Sequence, residues 1–140
     1  LRHTQNDVVR AVYEGIALHL RCAYDVLAEE TPLKEKLLLV GGGARSQVWR
    51  EIYAAVFGIP VQKTKVVQDA ASLGAAALAA VGAGIWKDYT VLDKAHGAGT
   101  LTSPKQEEKD FYRGMLPRYK SLWRLTQNMA EIMKEERSDE

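Results

Sequence analysis

The chain has 140 residues, 46% apolar and 26% charged, with 19 Lys and Arg against 18 Asp and Glu for a net charge of +1. That is enough chain for one domain with its own core, and too little net charge to mark a binder of nucleic acid or a membrane surface. Cys22 is the only cysteine, which excludes an internal disulfide and a thiolate zinc cluster, and no apolar run approaches the roughly 20 residues that span a bilayer. The expected location is therefore the cytoplasm. Leu1 is not an initiator residue and a helical pattern begins almost at once, so the sequence reads as a piece of a longer polypeptide.

From Thr4 to about Leu27, the residues Val8, Val12, Ile16, Leu20, Ala23 and Leu27 recur at the spacing of one helical stripe, which predicts a core-facing helix. Thr4 and Asp7 have the spacing of a capping box. Gly15 inside that helix should cost about 1 kcal/mol relative to Ala, and predicts the close approach of a neighbouring element. After Pro32, the wholly apolar run Leu37-Leu38-Leu39-Val40 predicts a strand covered on both faces, and it ends in Gly41-Gly42-Gly43. Ser46 should cap a helix running to Phe57 with Val48, Trp49, Ile52, Tyr53 and Val56 on its apolar face, stopped by Gly58 and Pro60. A second strand is expected within Val61 to Val67. Asp69 should cap an Ala-rich helix ending at Gly82 to Gly84, in which Gly74, Ala75 and Ala76 are small to let helix and sheet pack closely.

Strand alternating with helix in this way predicts a parallel α/β sheet with right-handed crossovers. The stretch from Ile85 to Thr102 has little periodicity, turn signals at Gly97 and Gly99, and room for one short helix at Val91 to Ala95. Ser103-Pro104-Lys105-Gln106 then has the pattern of a cap, a proline at the first helical position and an amide at the third. The long helix it opens carries Phe111, Met115, Tyr119, Leu122, Leu125, Met129 and Met133 as apolar positions, a kink or restart at Pro117, and a charged, frayed tail at 134–140.

Chemistry concentrates between Leu37 and Trp49. Glycines lack a Cβ and let the backbone reach a flat ligand or a phosphate, while the next helix offers unpaired N–H groups, a combination suited to a nucleotide. Gly41-Gly42-Gly43-Ala44-Arg45-Ser46 has no Lys for terminal phosphates, which rejects a Walker A loop. Gly41, Gly43 and Ser46 approach the dinucleotide spacing, but Val61, Gln62 and Lys63 stand where a ribose-binding acid belongs, so a nicotinamide-dependent oxidoreductase fragment remains only an alternative. His3, His19 and His96 are scattered without metal spacing, Cys22 reads as a buried inert thiol, and Trp49, Trp86 and Trp123 read as core rather than as a sugar platform. No metal ligand set is expected. Glu14 is left outside the site, and Lys105, Glu107, Glu108, Lys109 and Asp110 read as a solvated helix start.

Three blocks in order resemble the FGGY carbohydrate kinases, relatives of actin and the heat-shock ATPases. Ala11-Val12-Tyr13-Glu14-Gly15-Ile16-Ala17 is similar to the family's helix before the nucleotide strand, and Val40-Gly41-Gly42-Gly43-Ala44-Arg45-Ser46-Gln47-Val48-Trp49 to its adenosine motif. The third block is Ser72-Leu73-Gly74-Ala75-Ala76 with Ala79-Ala80-Val81-Gly82-Ala83-Gly84. The resemblance extends over Asp7 to Trp123, including a proline-led helix with Tyr112 and Tyr119, and its details resemble the xylulokinase branch.

That resemblance implies a ribonuclease H-like, actin-type ATPase fold of which residues 1–140 form the C-terminal, adenosine-binding part of the second large domain. It implies ATP and Mg²⁺ as cofactors, with Gly41, Gly42, Gly43 and Ala44 against the adenosine and Gln47 near the adenine edge, while Arg45 either covers the base or points to solvent. Ala55 stands where relatives have an acidic or amide residue, and Asp69 where they have Glu. The family's Asp-containing phosphate loop and its catalytic Asp have no counterpart in this sequence, so no catalytic residue is assigned and the chain alone should not turn over. The expected parent activity is phosphoryl transfer from ATP to a sugar or polyol, a pentulose such as xylulose first, with the sugar held chiefly by the N-terminal part. A non-catalytic nucleotide-binding module is the other alternative, and self-pairing into a homodimer is left open.

Overall fold

The computed structural model describes residues 2–32, 34–66 and 69–138. Helix α1 (Gln5–Glu30) begins at the expected capping box: the Thr4 hydroxyl accepts from the Asp7 amide at 3.4 Å, and the Asp7 carboxylate accepts from the Thr4 amide at 2.7 Å. The face it buries is not the one that the stripe predicts. Ala17, Leu18 and Cys22 are buried, whereas Val8, Val12, Ile16, Leu20 and Leu27 are exposed, Val12 by 55%. Periodicity finds an apolar stripe, but the neighbours decide which flank is covered. Here aromatic and polar anchors lie on the other flank, with Tyr13 against Trp49 at 4.4 Å and Tyr24 edge-on to Phe57 at 5.2 Å. At Gly15 the Tyr119 hydroxyl donates to the main-chain carbonyl at 3.3 Å, but an added Cβ would meet nothing within 4 Å, so packing there does not require a glycine.

Strand β1 (Leu37–Leu39) runs parallel to β2 (Val61–Thr64), with Leu37 opposite Val61 and Leu39 opposite Lys63. Between them, helix α2 (Gln47–Phe57) starts at Ser46, whose hydroxyl accepts the Trp49 amide at 3.3 Å, and stops at Gly58 in the left-handed region, φ +71°. Val67, the expected end of the second strand, lies outside the described residues. A third strand, β3 (Ala98–Thr102), corrects the expectation of an all-parallel sheet: it pairs antiparallel to β2, Val61 opposite Thr102, giving the order β1-β2-β3. Its glycine was the obstacle to reading it. Gly99 serves no turn but sits within β3, where any side chain would run into the Lys63 carbonyl beside an irregularity in the β2–β3 register.

The core lies between α2, α1 and helix α5 (Gln106–Ser138), with Ile52, Tyr53, Ala54, Ala55, Val56, Phe57, Val61 and Tyr112 buried together. Cys22 is a free buried thiol, and burial pushes its pKa up, which suppresses the reactive thiolate. Two polar clusters fasten α1 to α5 and α2. The Tyr112 hydroxyl donates to Glu14 at 2.7 Å and accepts from Arg10 at 3.3 Å. Asp25 accepts from Lys120 at 2.7 Å and Arg21 at 2.6 Å, while Arg21 also donates to the carbonyls of Val56 and Phe57 at the end of α2. Burial works to raise the Asp25 carboxyl, and the Lys120 and Arg21 partners outweigh it and hold it below its usual range.

Helix α5 starts at Gln106, so Ser103 and Pro104 precede it rather than forming its cap and first residue, and the Gln106 amide donates forward to Asp110 at 2.8 Å. It also runs unbroken through Pro117 to Ser138, including residues expected to fray. Contacts on both sides of the proline, at Met115, Leu116 and Tyr119, hold the helix against the core and offset the lost hydrogen bond. Phe111, Leu122, Leu125 and Met129 are exposed, and Met133 falls outside the described side chains.

Helix α3 (Ala70–Gly82) and the short α4 (Thr90–His96) link β2 to β3. Asp69 precedes α3 but makes no capping bond, and Ala77 is the one buried residue of that helix. Gly74 faces open space while Ala75 and Ala76 are exposed, so the expected close packing of these small residues on the sheet is not found. No helix among the described residues is long and apolar enough to cross a membrane.

Candidate functional site

The three glycines follow β1 at its C-terminal end. Gly41 takes φ +80°, a conformation other residues rarely adopt, and Gly42–Arg45 then coil into a single 3₁₀ turn closed by the Ala44 amide on the Gly41 carbonyl and the Ser46 amide on the Gly43 carbonyl, both at 3.1 Å. The amides of Gly42 and Gly43 come first in that turn and so have no partner within it. On the outer side, a Cβ at Gly41 or Gly42 would meet nothing within 4 Å, whereas one at Gly43 would touch the Trp49 ring at 3.6 Å. The turn is thus open backbone on one side, seated on an indole on the other.

Among the residues expected in the site, Gly41 to Ala44 are contiguous in this turn and Gln47 opens α2 next to it. Gly42 and Gln47 are exposed, and the Gln47 amide donates to Glu51 at 2.9 Å. Ala44, expected against a ligand, is wholly buried and supports the turn from within. Arg45 points outward to an open groove of about 610 Å³ that it lines with Lys63, Thr64, Lys65, Val66, Asp69, Gly99 and Thr100. Three cations against one carboxylate make the groove electropositive. Ala55 belongs to the buried face of α2, where an acidic or amide side chain would have to be desolvated.

Arg50 is the residue that sequence reasoning missed. Only 8% exposed, it donates through Nη1 to the carbonyls of Ala44 at 2.7 Å and Arg45 at 3.2 Å, and through Nε to the Thr102 hydroxyl of β3 at 3.4 Å. Its position was legible in principle, because Arg50 has helical spacing with Tyr53, Ala54 and Phe57, all buried. Among the described residues, no three His, Cys, Asp or Glu side chains gather to hold a metal.

Known proteins resemble this chain in sequence and in overall fold. A xylulose kinase of Staphylococcus epidermidis is 28% identical over 130 residues, covering 92% of this chain and 26% of that protein. A glycerol kinase of Lactococcus lactis is 31% identical over 107 residues, covering 76% and 21%. The crystal structure of a ligand-bound xylulose kinase from Lactobacillus acidophilus superimposes with a TM-score of 0.72 at 27% identity, over 86% of this chain and 24% of that one. The chain therefore spans about a quarter of the length of the relatives it matches. Residues 1–83 match the C-terminal domain of the FGGY family of carbohydrate kinases, and the chain belongs to that family.

Proposed function

We propose that this chain holds the adenosine of ATP for a kinase that phosphorylates a sugar or polyol hydroxyl, with a pentulose such as xylulose as the leading acceptor. The observation that carries this reading is the Gly41–Ala44 turn: a strand ends in open backbone whose first two amide donors have no partner within the turn, and it leads directly into the N-terminus of α2. Gly41, Gly42 and Gly43 would let a purine nucleoside approach the main chain, with Gln47 near the base. Ala44 would contribute by shaping the turn, and Arg45 by bordering the groove. Within the proposed family fold, of ribonuclease H-like type, residues 1–140 act as the nucleotide-holding part of the second domain.

ATP brings the phosphoryl group, and Mg²⁺ neutralises its phosphates when bound. This chain's residues bind and orient the nucleoside, which supplies positioning rather than proton transfer. The isolated chain is accordingly expected to lack kinase activity and to bind ADP near the millimolar range, about 4 kcal/mol of binding free energy. Titration of ¹⁵N-labelled chain with ADP tests the site, with shifts centred on the Gly41–Gln47 amides as the expected result. Tighter binding of NADPH than of ADP, or no shift in this turn at saturating ADP, would overturn it. For the longer protein, ATP-dependent phosphorylation screened across pentuloses and polyols decides the activity and the acceptor. ADP binding with no phosphorylation of any of them would favour a non-catalytic nucleotide-binding module.

A further inference from the structure

We infer that Arg50 is a positioning residue for nucleotide binding: from beneath the glycine turn it orients the peptide planes that present the Gly42 and Gly43 amides, and it ties that orientation to β3 through Thr102. This inference rests on the adenosine-site reading above. The last carbonyls of a 3₁₀ turn have no partner within the turn, and a short turn of this kind has few bonds to hold it in one conformation. The Arg50 guanidinium takes the carbonyls of both Ala44 and Arg45 on the buried side. Peptide groups are planar, so drawing these carbonyls inward fixes the planes at the end of the turn, and the 3₁₀ bonds carry that constraint back to its start.

Three features favour this role over that of a simple core filler. Arg50 has no carboxylate within ion-pair distance among the described residues, so its buried charge is balanced only by carbonyl and hydroxyl dipoles. A buried cation without a counter-ion is a costly way to fill space, and an apolar side chain would pack the same place more cheaply. Its fork is also matched to the site, since one nitrogen serves two turn carbonyls while Nε reaches a different strand. Lys, with a single point charge, cannot reproduce both directions. Finally, the strand it reaches, β3, also forms part of the electropositive groove through Gly99 and Thr100, so Arg50 joins the turn and the groove wall into one frame.

The test compares the wild-type chain with Arg50→Lys, Arg50→Met and Thr102→Val at low temperature, well below the melting point of each. Unfolding midpoint, the ¹⁵N spectrum of the turn without ligand, and ADP affinity by titration are read for each protein. Loss of charge-assisted bonds that act on the site should weaken ADP binding by about tenfold in Arg50→Met, with intermediate weakening in Arg50→Lys and a smaller effect in Thr102→Val. The Gly42 and Gly43 amide signals should shift or broaden in Arg50→Met before any ligand is added. Should Arg50→Met fail to fold, Arg50→Lys and Thr102→Val carry the comparison alone. Variants that melt earlier yet bind ADP as tightly as wild type and keep the Gly42 and Gly43 signals would reduce Arg50 to a structural residue and overturn the inference, leaving the adenosine site intact. A wild-type chain that gives no ADP response at the turn would overturn both together.

Discussion

Helices α2 and α3 each follow the sheet strands in the same strand-to-helix progression, yet α2 buries seven of its residues and α3 only Ala77. Composition would have suggested the reverse. α3 is Ala, Leu and Val nearly all round, the character of a helix covered on every side, whereas α2 carries Gln47, Arg50 and Glu51. What separates them is the company each keeps: α2 is enclosed by α1, α5 and the sheet, while nothing of comparable extent closes over α3 among the described residues.

Substitutions that probe the two regions should therefore diverge. The largest effect is expected at the sheet beside α2, where Gly99→Ala drives a methyl group into the Lys63 carbonyl and should cost about 2 kcal/mol or more in urea unfolding. Val61→Ala should follow at about 2 kcal/mol, because Val61 is fully buried at the centre of the sheet. Its counterpart on α3, Leu78→Ala, removes a side chain that is 64% exposed and should change stability by less than about 0.5 kcal/mol. A loss of 2 kcal/mol there would break the contrast.

Tyr112→Phe removes the hydroxyl shared by Glu14 and Arg10 and should cost about 1 kcal/mol at neutral pH. Burial, with the bond to Glu14 adding to it and Arg10 opposing it, raises the Tyr112 phenol to about 12. The folded state thus holds its proton where the unfolded state gives it up. The stabilisation is whole below pH 10 and is lost as pH rises toward 12, so wild type should lose more stability over that window than Tyr112→Phe. An effect of opposite sign is expected on α3: Gly74→Ala meets open space inside a helix and should stabilise the chain by about 0.5–1 kcal/mol.

Local signals carried well from sequence to structure. Thr4 with Asp7, Ser46 and Gly58 each act where chain-local chemistry places them, because a cap depends on neighbours three or four residues away. The glycine turn was legible for the same reason. Features set by distant partners were not: the covered flank of α1 depends on Trp49, Phe57 and Tyr112, and the continuity of α5 through Pro117 depends on packing against the core. β3 hid because Gly99 looks like punctuation until the Lys63 carbonyl stands next to it. Arg50 hid because a charged residue is ordinarily assigned to the surface, although its helical position pointed inward.

The bonds that fasten α5 to α1 also set a timetable. Tyr112, Tyr119 and Lys120 reach partners 98, 104 and 95 residues earlier in the chain. A ribosome adding 5–20 residues per second leaves α1 waiting on the order of ten seconds for the helix that completes its inner face. By then α2 and both parallel strands have already been made, so the body can assemble only in part until its last helix emerges. Until then the side of α1 and α2 that α5 later covers stays open, in addition to the apolar stripe that α1 leaves exposed after folding.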